Sequence, residues 1–157
     1  MKWTEERIAL EISTQILDKK CIVLVDNCNW TGHECDVLGV TTDGKIIDVE
    51  VKISRSDLKA DRKKDKWWNR LLWGKIHGPE QLREHPRKVW KHYYALPAEI
   101  WKDELFDCLP SKSSGVILLH SDGDLLYPRI VRRAKVIMCC DSLTVSQILD
   151  IARLGNI

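Results

Sequence analysis

Residues 46–53 alternate apolar and polar side chains with a period of two, and this pattern constrains the fold more than any other part of the chain. Successive side chains of a β-strand point to opposite faces of its sheet. Asp48, Glu50 and Lys52 therefore share one face, and the apolar residues between them share the other. Taken alone, the pattern is typical of a strand in an antiparallel sheet with one solvated face.

The turn before this strand decides which residue lies opposite Glu50. A two-residue loop of Asp43 and Gly44 would pair Thr42 with Lys45. A three-residue loop that begins at Thr42 would instead pair residue 41 with Lys45. A glycine in the third position of such a loop suits a type I turn followed by a G1 bulge. We therefore predict the three-residue loop.

This register places Asp36 directly opposite Glu50, with Lys52 two residues farther along the same face. The two carboxylates would then lie about 4.5–5.5 Å apart. Like charges at that distance repel each other unless a cation lies between them, and oxygen ligands suit Mg²⁺ or Mn²⁺. A neighbouring lysine can orient or deprotonate a metal-bound water and offset charge on a phosphate. The pattern predicts metal-dependent hydrolysis of a phosphodiester bond.

The residues around this pair resemble a known group of nucleases. Asp36, 13 intervening residues and then Glu50-Val51-Lys52 resemble the motif of the PD-(D/E)XK nuclease superfamily. The wider match is to its MmcB-like branch of DNA-repair endonucleases, and it covers roughly residues 5–137. It is carried by Gly32, residues 36–40, Asp43, Gly44, residues 49–61, Lys66, Trp67, and residues 92–97, 115–118 and 132–134.

The resemblance implies a role for each residue of the motif. Asp36 and Glu50 would hold Mg²⁺ or Mn²⁺ together with the Val51 backbone carbonyl, and Lys52 would be the catalytic lysine. Because Lys52 is expected on the polar face of a strand, its truncation should abolish cleavage and leave the fold largely intact.

A further, outer carboxylate for the metal has two candidates. Asp26 stands where the family tends to have a glutamate on a strand. Glu11 is the rival, because the superfamily often has a glutamate on its first helix. Glu11 lies about 100° around that helix from the apolar face, which Ile8 and Ile12 mark, so Asp26 is favoured.

Residues 52–91 form a basic segment, with 13 Lys and Arg against 5 Asp and Glu, a local net charge of +8 in a chain of +2. Such a separation suggests a surface for a polyanion. We predict a long polar helix from Ser56 towards Trp73. Its acidic stripe, Asp57, Asp61 and Asp65, would contact Lys52 or an arginine while its basic stripe faces nucleic acid. The alternative is a solvated helix with diagonal i,i+3 ion pairs. Trp67 with Leu71, or Trp68 with Leu72, would suit pairs in the core, whereas one or two other tryptophans would stack on unpaired bases. The predicted nucleic-acid-binding residues are Lys59, Arg62, Lys63, Lys66, Trp67 and Arg70.

The order of elements predicts a single α/β domain over residues 1–157, with a mixed central β-sheet flanked by helices. The resemblance implies that this fold is restriction-endonuclease-like. An insertion is predicted around residues 74–88, where two glycines and two prolines interrupt the pattern. The predicted helices are 4–19, which Thr4 caps, the segment after Ser56, and a last helix that opens with a Thr144–Gln147 capping box. Ile148, Leu149 and Ala152 form the predicted apolar face of that last helix. The predicted strands are 21–25, 36–41, 45–53, 90–96 and 115–119.

The predicted function is a metal-dependent DNA endonuclease, rather than an exonuclease, in DNA repair, recombination or phage DNA metabolism. Three alternatives stay open: a non-catalytic nucleic-acid-binding module of the same fold, an RNA-directed nuclease, and a sheet face with no site. A homodimer is expected to be able to reach both strands of a duplex.

The chain shows neither a signal peptide nor a membrane-spanning run, so a cytoplasmic protein that does not bind membranes is expected. Its six cysteines include no Cys-x-x-Cys pair. This pattern favours reduced cysteines that serve as small apolar residues over a zinc ribbon or redox pair, and an iron–sulfur cluster would need four distant cysteines brought together.

Overall fold

The computed structural model describes residues 2–69, 81–136, 138 and 140–155. The helices are α1 (Glu5–Ile12), α2 (Arg55–Ala60) and α3 (Val145–Leu154). The strands are β1 (Cys21–Cys28), β2 (Cys35–Thr41), β3 (Ile46–Val51), β4 (Trp68–Asn69), β5 (Gln81–Leu82), β6 (Lys91–Pro97), β7 (Gly115–Asp122) and β8 (Leu125–Arg132). Across the main sheet the order is β1-β2-β3-β6-β7-β8, and β4 pairs with β5 in a separate ribbon.

The main sheet is mixed. The β1-β2-β3 pairs and the β7-β8 pair are antiparallel, whereas β3-β6 and β6-β7 are parallel. This arrangement confirms the α/β fold with a mixed sheet and flanking helices. Of the insertion predicted around residues 74–88, residues 74–80 lie outside the described part of the chain, and β5 lies in the remainder. No helix in the described ranges is long and apolar enough to cross a bilayer.

The β2–β3 turn has the predicted three-residue loop. The Thr41 amide donates to the Lys45 carbonyl at 2.9 Å, and Gly44 has a φ of +76°. Val37 pairs with Val49 in this register. Glycine has no Cβ, so it adopts this left-handed conformation without steric cost. The turn type that it permits sets the register of the two strands.

Helix α1 covers one face of the sheet. The Thr4 hydroxyl caps it by accepting the Arg7 amide hydrogen at 3.2 Å, as its sequence predicts. Ile8 and Ile12 are fully buried against the apolar face of β3. The α-helical part ends at Ile12, and a π-helical turn, Ser13–Leu17, ends two residues before the predicted end at residue 19.

The prediction of a long helix from Ser56 to Trp73 is wrong. Ser54 is the N-cap, α2 ends at Ala60, and two 3₁₀ turns, Asp61–Lys63 and Asp65–Trp67, lead directly into β4. Residues 70–80 lie outside the described part of the chain. Like charges four residues apart disfavour a continued helix. The side chains of this segment instead turn inward and form ion pairs.

Two other differences concern the C-terminal half. Strand β8 was not predicted, because Pro128 and two arginines interrupt its apolar pattern. Proline is tolerated on an edge strand, and β8 lies at the edge of the sheet. The Thr144–Gln147 capping box of α3 is confirmed. Leu149 was expected on the buried face of α3, but it is 55% exposed, and Ile151 occupies the core position instead.

Candidate active site

The polar face of β3 is buried rather than solvated. Asp48, Glu50 and Lys52 are 0%, 2% and 2% exposed. In the neighbouring parallel strand β6, His92 pairs with Asp48 and Tyr94 pairs with Glu50. Burying these three side chains costs free energy unless each of them has a hydrogen-bond or ion-pair partner. Their partners therefore define the site.

Asp36 is joined directly to β3. The Val51 amide donates a 2.7 Å hydrogen bond to Asp36 Oδ2, next to the last pair of the β2–β3 register, Val37 with Val49. Burial, and then the charge of Glu50, raise the pKa of Asp36 to about 6. Among the described residues, no ammonium or guanidinium lies within ion-pair distance of Asp36. This carboxylate is therefore suited to a cation.

Glu50 has a different environment, because three lysine ammonium groups surround its carboxylate. Lys52 and Lys64 contact Oε1 at 2.9 and 2.5 Å, and Lys66 contacts Oε2 at 2.7 Å. Burial opposes ionisation, but Lys66 and the other lysines hold the pKa of Glu50 below its ordinary value. Glu50 can bind a metal ion only if it exchanges at least one of these partners.

Lys52 bridges Glu50 to the segment that follows β3. Its Nζ lies 3.0 Å from Asp61 Oδ1 and 3.7 Å from Asp57 Oδ1. The acidic residues of α2 and its 3₁₀ extension therefore face Lys52, as the sequence predicts for Asp57 and Asp61. The ammonium group is fixed between strand and helix.

Asp61 also binds two aromatic side chains. Its Oδ2 accepts hydrogen bonds from the Tyr94 hydroxyl at 2.5 Å and from Trp67 Nε1 at 3.0 Å. Burial opposes its charge, but Lys66 and Lys52 hold the pKa of Asp61 well below the ordinary range. Trp67 is fully buried, so the prediction that it contacts nucleic acid is wrong, and the core alternative is confirmed.

A small acidic cavity of about 90 Å³ opens beside Asp36. Val51 and Asp26 line it, and so do Glu5 and Glu6 from the first turn of α1. The sequence indicates for these two glutamates only a favourable interaction with the positive end of the helix dipole. The Thr4 cap could have suggested their position, because it sets where α1 begins relative to the sheet.

The two candidates for an outer carboxylate are placed differently. Asp26 borders the cavity beside Asp36. Glu11 forms an ion pair with Arg7 at 3.0 Å and accepts a hydrogen bond from Gln15. It is not among the residues that line this cavity, so the geometry favours Asp26.

The predicted nucleic-acid-binding residues do not form one surface. Lys59, Arg62 and Lys63 are exposed, as predicted. Lys66 is wrongly predicted to be a surface residue, because its side chain is only 3% exposed and its ammonium is bound to Glu50. The charge of Glu50 draws it inward. Arg70 lies outside the described residues.

A cleft of about 410 Å³ lies next to the buried network. It is lined by Lys66, by the half-buried Trp68, and by Arg83 and Arg87 from the segment before β6. Because Lys66 also contacts Glu50, the cleft reaches the ion network. Burial, and then the charge of Arg87, lower the pKa of Arg83, so the two guanidinium groups lie near each other. Asp65 lines the same cleft. Sequence reasoning did not single out Arg83, and only the fold brings it to Lys66.

No protein-family model matches this chain, and no curated protein matches it. A solved structure, the SPO1766 protein of unknown function from Silicibacter pomeroyi, resembles it in fold. The two share 19% sequence identity with a TM-score of 0.58, over 99% of this chain and 86% of that one. At this identity the likeness supports the fold alone.

Proposed function

We propose that this protein is a metal-dependent nuclease of the PD-(D/E)XK type that hydrolyses phosphodiester bonds in DNA, with Asp36, Glu50 and Lys52 as its site. The observation that carries the proposal is the environment of Asp36. Its carboxylate is tied to β3 at 2.7 Å, has a raised pKa and borders a cavity with other acidic side chains. Such a carboxylate gains most from a hard cation with oxygen ligands.

Asp36 and the acidic cavity fit Mg²⁺ or Mn²⁺, whereas Glu50 fits only after a lysine moves. A bound ion would supply Lewis-acid polarisation of the scissile phosphate and a more acidic water. Val51, which separates Glu50 from Lys52, would contribute its backbone carbonyl. Asp26 would hold the outer side of the ion.

Lys52 would place a fixed positive charge beside the reacting phosphate. Its contacts with Glu50, Asp57 and Asp61 leave the ammonium little freedom, so no reorganisation is needed when negative charge develops. Arg83 and Arg87 in the cleft would bind neighbouring phosphates, and Trp68 offers a face for an unpaired base.

A second function is favoured by one specific observation. Both oxygens of Glu50 already contact lysines, so the ion network is complete without a metal. Under this alternative the protein is a non-catalytic nucleic-acid-binding module. Its cleft would bind the backbone, and the network would only support the fold.

The decisive experiment is a cleavage assay with labelled duplex, single-stranded and branched DNA and with RNA, each in Mg²⁺, Mn²⁺ or EDTA. Nicking of closed circular DNA would identify an endonuclease. We expect DNA cleavage that needs the divalent ion and is lost in Asp36→Asn. Asp124→Asn, an exposed change in the β7–β8 turn, is the matched control and should cleave normally.

The outcomes separate the candidates. Binding of DNA without cleavage in either metal would favour the non-catalytic module. Cleavage of RNA alone would identify an RNA-directed nuclease. Equal cleavage by Asp36→Asn and Asp124→Asn would remove Asp36 from the site and refute the proposal.

A further inference from the structure

A second group of metal-ligating side chains lies on the same face of the sheet, two residues before Glu50. His33 precedes β2, Cys35 begins β2, Asp48 lies in β3 and His92 lies in β6. These three strands are neighbours in the sheet. Residues that are far apart in the chain are thus brought together by strand order.

The distances within this group are those of a compact coordination shell. His33 Nε2 lies 3.2 Å from Asp48 Oδ2, and Cys35 Sγ lies 3.6 Å from His33 Nε2. His92 Nε2 lies 3.9 Å from the same Asp48 oxygen. The ligand atoms of His33, Cys35 and Asp48 all lie within 4.8 Å of one another. Tetrahedral zinc with bonds of about 2.0–2.3 Å separates its ligand atoms by about 3.3–3.8 Å.

Two polar atoms of this group are buried without a hydrogen-bond partner in the described part of the chain. They are Asp48 Oδ1 and His92 Nε2, and both residues are 0% exposed. Leaving such atoms unpaired destabilises the folded state. The other nitrogen of His92, Nδ1, lies 2.9 Å from the Ser114 hydroxyl. Contacts of this kind orient a histidine for metal binding and select its tautomer.

We infer that His33, Cys35, Asp48 and His92 form a zinc site that ties β2, β3 and β6 together. A thiolate, a carboxylate and two imidazoles suit Zn²⁺ rather than Mg²⁺, and four protein ligands make a closed, structural site. The thiolate and carboxylate balance the two charges of the ion. The nearby Lys66 is balanced by Glu50.

Zinc binding would form a Zn–S bond and release the Cys35 thiol proton to solvent. His33 borders the cleft, which gives the ion a path of entry. The site shares no ligand with the Asp36 site, so the inference stands or falls independently of the proposed nuclease activity.

The test uses the whole chain, purified under reducing conditions and freed of metal with a chelator. Titration with Co²⁺ should give visible bands of tetrahedral cobalt and a near-ultraviolet thiolate charge-transfer band, saturating at one ion per chain. Zn²⁺ should displace the cobalt and raise the melting temperature. Absence of a charge-transfer band in the wild-type protein, or of stoichiometric zinc binding, would overturn the inference and identify a polar core cluster only.

Two pairs of variants assign the ligands. Cys35→Ser should lose the charge-transfer band, whereas Cys108→Ser, in a different hydrophobic cluster, should keep it. Ser114→Ala should weaken zinc binding about 10–100-fold through His92. Ser111→Ala removes a comparably buried hydroxyl and should not weaken it. If Cys35→Ser does not fold, the serine pair decides; equal zinc affinity of these two variants would overturn the role of His92.

Discussion

Lys52 Nζ lies 3.0 Å from Asp61 Oδ1, and neither residue is more than 2% exposed. The pair joins the end of β3 to the turn after α2. The candidate catalytic lysine is therefore also a structural residue. Its charge holds two carboxylates in the interior, and the consequences can be measured without any substrate.

Lys52→Ala should destabilise the protein by about 1–3 kcal/mol, because it removes the buried ammonium that Glu50 and Asp61 share. Lys64 and Lys66 remain in contact with Glu50 and limit the loss. This burial reverses the expectation from sequence that truncating Lys52 leaves folding intact. Urea unfolding measures the change. Lys59→Ala, on the exposed side of the same region, should stay within about 0.5 kcal/mol of wild type. Equal stability of both variants would contradict the structural role.

Asp36→Asn should stabilise the protein at high pH. The pKa of Asp36 is raised to about 6 from an ordinary 3.8, so the folded state binds the proton more tightly than the unfolded state. The stability that this group contributes is fully present below the ordinary pKa and is lost as pH rises through about 6. Asparagine can still accept the Val51 hydrogen bond and carries no charge. The variant's gain in melting temperature should therefore be larger at pH 8 than at pH 4, and a gain independent of pH would contradict this account.

Asp61→Asn should act with the opposite pH dependence. The lysines lower the pKa of Asp61, so its contribution to stability is present above the ordinary value and declines as pH falls below it. The variant should be clearly less stable than wild type at pH 7, and the gap should narrow below about pH 4. Asp57→Asn is the matched control, because that side chain is 43% exposed and lies 3.7 Å from Lys52. Asp57→Asn should lower the free energy of unfolding less than Asp61→Asn does. An equal loss from both variants would show that the burial of Asp61 is not the cause.

Replacing Arg83 and Arg87 with Gln should weaken nucleic-acid binding and flatten its salt dependence. Each lost phosphate contact should reduce the slope of log K against log[salt] by about 0.9 on duplex DNA, or about 0.7 on single strands. The exposed pair Lys19 and Lys20, replaced in the same way, provides the control. Replacing Lys59 and Lys63 tests the surface that the sequence predicts. If only the Lys59 and Lys63 replacements change the slope of log K against log[salt], the cleft is not the binding surface.

The sequence by itself determined the local relationships around the site. The alternation of residues 46–53 and the glycine of a three-residue loop were enough to predict the β2–β3 register, in which Val37 pairs with Val49 next to Asp36. The Thr4 and Thr144 caps likewise set where two helices begin. All of these depend on chain geometry over a few residues, which local side-chain chemistry controls.

Only the tertiary structure decided what surrounds those residues. Trp67 and Lys66 look like surface residues in a charged segment, yet Asp61 and Glu50 draw them inside, because a buried charge is stable only with a close partner. His33 and His92 meet at Asp48 because β2, β3 and β6 are neighbours in the sheet. No short sequence spacing predicts that these three strands are adjacent, because strand order depends on how the whole chain buries its apolar faces.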